Sequence, residues 1–127
     1  MTLRPCSFGL LLVALVALAG CREEDLDPAA VARGKELSQT CTACHQLASS
    51  AHQVGPSLEG IIGQTAGTQD GFDYSAGMKA SGIVWTPESL VAFLQDPFAM
   101  VTDTKMAVGE LSKDEATDVV TYLRSLD

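Results

Sequence analysis

The chain has 127 residues, of which eight are lysine or arginine and sixteen are aspartate or glutamate, giving a formal net charge of −8. This length allows one domain, and the acidic balance does not favour nucleic acid, which proteins bind through lysine and arginine side chains that neutralise phosphate. We therefore expect a single acidic domain with no nucleic-acid partner.

The first twenty residues have the pattern of an export signal. Arg4 is their one positive charge, and an unbroken apolar run extends from Leu10 to Ala19. The run is shorter than the roughly 20 residues that a membrane-spanning helix needs, and a buried core helix would show a polar stripe. It ends in Leu18-Ala19-Gly20-Cys21, which resembles the cleavage and lipidation box of bacterial lipoproteins. The resemblance predicts a lipoprotein signal peptide over 1–20 and a lipid on Cys21, with ordinary secretion and an unmodified Cys21 as the alternative.

Cleavage after residue 20 would simplify the cysteine count. Cys6 would leave with the signal and Cys21 would carry the lipid, so that Cys41 and Cys44 remain. Loss of Arg4 would leave seven basic residues against sixteen acidic ones and change the net charge from −8 to −9. Residues 21–27 are charged and aperiodic, and six extended residues reach about 20 Å. We interpret them as an acidic tether that holds a domain of residues 28–127 beside a membrane.

Beyond the tether the sequence predicts helices. Asp27 is a favourable N-cap and Pro28 a favourable first helical residue, so a helix should begin there. Thr86-Pro87 opens another helix, which Asp96-Pro97 should end because a proline disfavours helix in the residue before it. The capping box Ser112–Glu115 opens a terminal helix. The apolar stripe of that helix is Ala116, Val119, Val120, Leu123 and Leu126.

The segment 46–72 has a different character, because it lacks helical periodicity and contains five glycines. A loop of this length usually wraps something or is disordered. A short helical turn is expected over 75–80, and no segment predicts a strand. Short helices in a domain of this size make a thin hydrophobic core, which a large apolar cofactor would complete.

The strongest motif is Cys41-Thr42-Ala43-Cys44-His45. Cys-x-x-Cys-His is the attachment sequence of c-type haem, in which two thiols add to the haem vinyl groups and the histidine ligates iron. A zinc site would need more ligands than His52 supplies, and a thioredoxin-like dithiol needs an α/β context. A disulfide across two residues would constrain little of the unfolded chain. The motif therefore favours one covalent haem c.

Four further motifs carry a more specific resemblance. They are Gly55-Pro56-Ser57-Leu58, Gly71-Phe72-Asp73-Tyr74, Gly82-Ile83-Val84-Trp85 and Thr104-Lys105-Met106. These motifs follow one another as they do in the mitochondrial-type class I cytochromes c, and the chain resembles that family over about residues 28–126. The resemblance implies an all-α cytochrome c fold. In that fold three main short helices and glycine-rich loops wrap one covalent haem, and the N- and C-terminal helices pack across each other.

The resemblance also implies roles for individual residues. Cys41 and Cys44 match the thioether attachment points, and His45 matches the proximal iron ligand. Pro56 matches the residue whose carbonyl accepts the second ring N–H of that histidine, which fixes the tautomer. Met106 matches the distal ligand. Its rivals are Met78, Met100 and His52, and His52 lies only seven residues from His45, too near to cross the haem plane easily.

Two aromatic residues, Tyr74 and Trp85, match residues that hydrogen-bond a buried haem propionate, although core packing would also explain them. The chain departs from the family pattern near the propionates. Gln64 stands where many members have arginine, Phe93 where they often have tyrosine, and Met78 where asparagine is common. We therefore expect a thinner polar network around the propionates.

The function that the resemblance implies is that of a single-electron carrier in a respiratory or photosynthetic chain, and not of an enzyme. We expect a monomer, lipid-anchored on the periplasmic side of a bacterial membrane. Its partners would be membrane-bound redox proteins, such as a quinol-oxidising cytochrome complex and a terminal oxidase or reductase. A fixed subunit of a larger redox complex, a haem sensor or peroxidase-like protein, and a non-haem dithiol protein are the alternatives.

The docking surface departs from the family as well. Mitochondrial-type cytochromes present a ring of lysines, which steers encounter with their partners. The matching positions here are Thr40, Phe98, Ala99, Leu111 and Ser112, so that Lys105 and Lys113 are what remain. The stretch Phe98–Val101 either borders the haem edge, which would make docking largely apolar, or folds inward as core.

Overall fold

The computed structural model describes residues 25–127, and within that range the fold is helical. The helices are α1 (Pro28–Leu37), α2 (Ala76–Ala80), α3 (Pro87–Gln95), α4 (Pro97–Met100) and α5 (Lys113–Arg124), with one 3₁₀ turn at Cys41–Ala43. These residues form no β-strand, and the β-structure among them is one isolated antiparallel bridge between Thr65 and Val84. The all-α prediction is confirmed.

The three longest helices begin where their caps predict. The Asp27 carboxylate accepts a hydrogen bond from the Ala29 N–H at 3.0 Å ahead of α1. Thr86 caps α3 and Ser112 caps α5, and each exchanges a reciprocal pair of hydrogen bonds with the residue three positions later. These bonds satisfy amide groups that the first helical turn would otherwise leave unpaired, so each start is fixed locally.

Helices α1 and α5 cross in close contact at Gly34. A Cβ placed there would overlap the backbone carbonyl of Asp118 and lie 2.8 Å from the Cβ of Tyr122, so only glycine fits. Beside the crossing, the Arg33 guanidinium donates to the Asp118 carboxylate at 2.7 and 2.9 Å. These hydrogen bonds hold the pKa of Asp118 below its usual value. The predicted packing of the first helix across the last is therefore present.

The inner face of α5 follows the predicted stripe with one correction. Ala116, Val119, Val120 and Leu123 are buried, but Leu126 lies beyond the end of the helix and is 38% exposed. The four buried side chains of α5, together with Trp85, Leu90, Phe93 and Leu94, form much of the core, in which the Trp85 and Phe93 rings meet edge to face at 5.1 Å.

The segment after α3 differs from the prediction in part. α3 ends before Pro97 as expected, but Pro97 then starts the one-turn helix α4, because the Asp96 carboxylate accepts from the Ala99 N–H at 2.9 Å. This turn divides the apolar stretch 98–101 between the surface and the core. Phe98 is 51% exposed, whereas Val101 is 4% exposed and belongs to the core.

The glycine-rich loop 46–72 is ordered by hydrogen bonds from side chains to backbone. One ring nitrogen of His52 accepts from the Ser57 N–H at 3.1 Å and the other donates to the Asp70 carbonyl at 2.9 Å. The Gln69 amide donates to the Ser57 carbonyl and to the Gln64 side chain, both at 3.0 Å. These contacts fold the loop around one wall of a cavity.

Candidate haem-binding site

A cavity of about 400 Å³ opens into the middle of the fold. Most of its lining is apolar and includes core side chains of α3 and α5, such as Phe93 and Leu123, so it is continuous with the hydrophobic core. All seven residues that the sequence assigns to haem line this one cavity. They are Cys41, Cys44, His45, Pro56, Tyr74, Trp85 and Met106. Cys21, the predicted lipidation site, lies outside the described residues.

The two cysteines lie on the 3₁₀ turn that follows α1. Backbone hydrogen bonds to the Cys41 carbonyl from the N–H groups of Cys44, at 3.0 Å, and His45, at 2.9 Å, fix the turn. Both cysteines are half-buried, and no disulfide joins them. Burial raises the pKa of the Cys41 thiol, and the neighbouring Cys44 adds to that shift. The turn therefore presents two thiols and one imidazole to the same cavity.

The His45 ring is held from two sides. Its Nδ1 lies 2.6 Å from the carbonyl oxygen of Pro56, the contact that the family resemblance implied. Because a carbonyl can only accept, His45 donates there, which leaves the lone pair on Nε2 as the nitrogen that can ligate a metal. A Cβ at Gly55 would overlap the ring, and the Gly55 N–H donates to the Cys44 carbonyl at 2.8 Å. Glycine at this position keeps the imidazole in place.

The candidates for the distal iron ligand lie in different parts of the structure. Met106 and Met78 both line the cavity, Met106 from the loop after α4 and Met78 from α2. Met100 packs against the core and is not part of the cavity lining. Both ring nitrogens of His52 are bound to the loop backbone, and its ring packs against Phe72 instead of lining the cavity. Among the rivals, Met78 alone shares the cavity with Met106.

The two aromatic residues sit differently. Trp85 is buried, and its backbone N–H donates to the Gln64 carbonyl at 2.8 Å while its carbonyl accepts from the Gly63 N–H at 2.8 Å. Tyr74 is half-buried against Phe72, with ring centroids 4.8 Å apart, and burial raises the pKa of its hydroxyl. Gln64 does not line the cavity, and its amide donates to the Gly60 carbonyl at 2.8 Å.

Two carboxylates that sequence reasoning left without a role fix the loop of Met106. Asp73 accepts from the Lys105 ammonium at 2.8 Å, and this ion pair lowers the pKa of Asp73. Asp103 accepts from the Gly77 N–H at 2.8 Å and from the Ser75 hydroxyl at 3.0 Å. Each bond joins residues at least 26 positions apart, and no spacing in the sequence indicates such pairs.

The residues around the cavity fit a covalent haem. Two thiols lie one turn apart, an imidazole has its Nε2 lone pair available, and two thioethers lie within the same apolar lining. These are the groups by which proteins attach haem c and ligate its iron. Tyr74 and Trp85 add polar groups to a mostly apolar wall, as expected where a largely apolar ligand carries a few charged substituents.

Comparison with known proteins agrees with this geometry. The family model for cytochrome c matches residues 31–127. Cytochrome c 2.1 of Caenorhabditis elegans is 44% identical over 93 residues, which cover 72% of this chain and 84% of that protein. Cytochrome c2 of Blastochloris viridis is 34% identical over 128 residues, covering 98% of this chain and 95% of that protein. Among solved structures, cytochrome cH from Methylobacterium extorquens superposes with a TM-score of 0.70 at 33% identity, covering 75% of this chain and 97% of that one.

The chain belongs to the cytochrome c family, whose members are electron carriers that bind haem c covalently. The cytochrome c fold that the motifs predicted is confirmed. The prediction of covalent haem c is confirmed with it, and Cys41 and Cys44 stand in the Cys-x-x-Cys-His motif.

Proposed function

We propose that this protein is a membrane-tethered, monohaem single-electron carrier that works on the periplasmic side of a bacterial membrane, with His45 and Met106 as axial ligands. The observation that carries the proposal is the convergence of Cys41, Cys44, His45 and Met106 on one apolar cavity. Haem c, once attached, supplies the one-electron couple of its iron.

The chain's own residues adapt this couple to electron transfer. Axial bonds from an imidazole and a thioether would leave no site for a substrate on the metal, which favours a carrier over an enzyme. Histidine and methionine together also raise the reduction potential. The Pro56 carbonyl holds His45 in one tautomer, and apolar side chains from α3 and α5 exclude water. A pocket fixed in this way changes little between the two redox states.

The mouth of the cavity supports apolar docking. Its exposed lining residues include Thr40, Ala43, Ala107 and Val54, and Val54 is 78% exposed. Lys105 is the one lysine, arginine, aspartate or glutamate among the described lining residues, and Asp73 pairs with its ammonium. We expect partners that meet this mouth with an uncharged face, namely a membrane-bound quinol-oxidising cytochrome complex and a terminal oxidase or reductase. A tether would keep them at high local concentration without electrostatic steering.

The membrane attachment concerns Cys21. Within residues 25–127 no helix is long and apolar enough to cross a bilayer. The acidic segment 21–27 and the lipoprotein-like box before it support a lipid anchor. In a bacterial host with haem-attachment machinery, the full chain should partition into the membrane fraction. Cys21→Ser should appear soluble or uncleaved with an unchanged haem spectrum. Wild-type protein found wholly in the aqueous fraction without detergent would contradict lipidation.

The axial ligand is tested on the same preparation. Met106→Ala should give high-spin ferric haem that binds added imidazole or cyanide readily, because the sixth position opens. Met78→Ala is the matched control, since Met78 lines the same cavity, and it should keep the low-spin spectrum. If Met106→Ala stayed low-spin and Met78→Ala did not, Met78 would be the ligand.

A further inference from the structure

The loop that carries Met106 is joined to α2 by one carboxylate. Asp103 Oδ2 accepts from the Gly77 N–H at 2.8 Å, and Oδ1 accepts from the Ser75 hydroxyl at 3.0 Å. Ser75 is the N-cap of α2 and Gly77 lies in its first turn. Asp103 therefore binds both groups at the start of this helix.

Asp103 lies so close to α2 that a side chain at position 77 would have to displace it. A Cβ at Gly77 would overlap Asp103 Oδ1 and lie 2.9 Å from Asp103 Cγ. Gly77 does not have a positive φ, so its backbone conformation suits any residue. The three nearest atoms that an added Cβ would meet all belong to the Asp103 side chain, so a substitution at Gly77 acts on this contact.

The contact extends from Asp103 to Met106 through Thr104. Thr104 is buried, its N–H donates to the Val101 carbonyl at 3.0 Å, and its hydroxyl accepts from the Met106 N–H at 3.3 Å. The Lys105 ammonium donates to the carbonyl and the carboxylate of Asp73, both at 2.8 Å. Both partners of that ion pair are more than half exposed, and exposed pairs add little.

We propose that Asp103 is a positioning residue that keeps Met106 at the cavity by joining its loop to the first turn of α2. The inference rests on the proposed role of Met106 as the axial ligand. Without Asp103 the loop opens more often, and an added ligand that competes with Met106 binds more tightly, since its apparent affinity depends on the fraction of open loop.

The test is titration of the ferric holoprotein with imidazole, followed by the visible spectrum. Asp103→Ala removes two hydrogen bonds to a charged acceptor, and imidazole should bind about tenfold more tightly. Asp103→Asn keeps the shape of the side chain. Its amide oxygen can still accept from the Gly77 N–H, and its NH₂ group can donate to the Ser75 oxygen, so the imidazole affinity should lie near that of the wild type. Asp114→Ala, which removes an exposed carboxylate from α5, should leave the affinity unchanged.

A double-mutant cycle tests whether Gly77 and Asp103 affect imidazole binding through the contact between them. Gly77→Ala should also tighten imidazole binding, because its Cβ displaces the Asp103 carboxylate. In the Asp103→Ala background the same change should add little, since the displaced group is gone. Additive effects of the two substitutions would overturn the inference.

The outcomes separate this inference from the function it rests on. If Met106→Ala opens the sixth site but Asp103→Ala leaves imidazole affinity unchanged, Asp103 does not position Met106. A lower unfolding midpoint without tighter imidazole binding would overturn the inference as well, since it would mark a purely structural role. If Met106→Ala stays low-spin, both the ligand assignment and this inference are overturned.

Discussion

Helices α1 and α5 meet backbone to backbone at a glycine, whereas the loops on the other side of the cavity meet through hydrogen bonds from single side chains. At the helix crossing, Gly34 contacts the Asp118 carbonyl and buried apolar residues of α5 lie alongside. In the loops, His52, Gln69 and Asp103 each join two distant segments. Close packing spreads stability over many atoms, while a loop fixed by one side chain loses its order when that side chain is removed.

The largest effect should come from the helix crossing. Gly34→Ala places a methyl group into the Asp118 backbone, so the helices must separate, and we expect a loss of about 3 kcal/mol in the free energy of unfolding. Gly82→Ala is the matched control, because Gly82 has a φ of +63° and open space around it. Its cost should be about 1 kcal/mol, from backbone strain alone. Urea unfolding of the two variants measures the difference, and equal losses would show that the crossing is not tightly packed.

A smaller and local effect should come from His52. His52→Ala removes both hydrogen bonds that join Ser57 to Asp70, and amide exchange at Ser57 and its loop neighbours should speed up about tenfold. The amides of Val119 and Val120 in α5 should exchange at the wild-type rate. His52→Gln can still donate and accept, so it should fall in between. Equal acceleration in α5 would mean that the loop and the helix pair unfold as one unit.

The smallest effect should come from the ion pair beside the crossing. The Arg33 guanidinium lowers the pKa of Asp118, so this pair stabilises the fold above the ordinary carboxyl value of 3.8 and loses its effect as the pH falls through the lower folded-state pKa. Asp118→Asn should therefore have a slightly lower free energy of unfolding than the wild type at pH 7. This loss should be smaller than the loss caused by Gly82→Ala. The difference should shrink towards pH 3. A difference that is constant with pH would contradict an electrostatic origin.

The same contrast explains how much of the fold the sequence predicts. Helix starts depend on neighbouring residues, so Asp27-Pro28, Thr86-Pro87 and Ser112–Glu115 locate α1, α3 and α5. Asp96-Pro97 carries the same capping signal as Asp27-Pro28, and interpreting it only as a stop missed α4. The 3₁₀ turn at Cys41–Ala43 was missed as well, because three residues show no periodicity.

The cavity residues were predictable for a different reason. The Cys-x-x-Cys-His motif and the four family motifs mark positions that the cofactor itself requires, and each assigned residue lines the cavity. Pro56 apart, the contacts that position them were not predictable. Gly55 against His45, Asp103 against α2 and Asp73 with Lys105 pair across the fold. Such contacts depend on tertiary distance and leave no periodic signal in the chain.

The pairing of α1 with α5 has a consequence for the order of events during folding. Arg33 and Asp118 are 85 positions apart, so the first helix finds its partner only when both ends of the chain have come together. Until then the Cys41–Ala43 turn has no completed core behind it, since Val119 and Leu123 of α5 line the cavity that the turn faces. Both thiols therefore stay open to an attachment enzyme until the last helix covers the cavity.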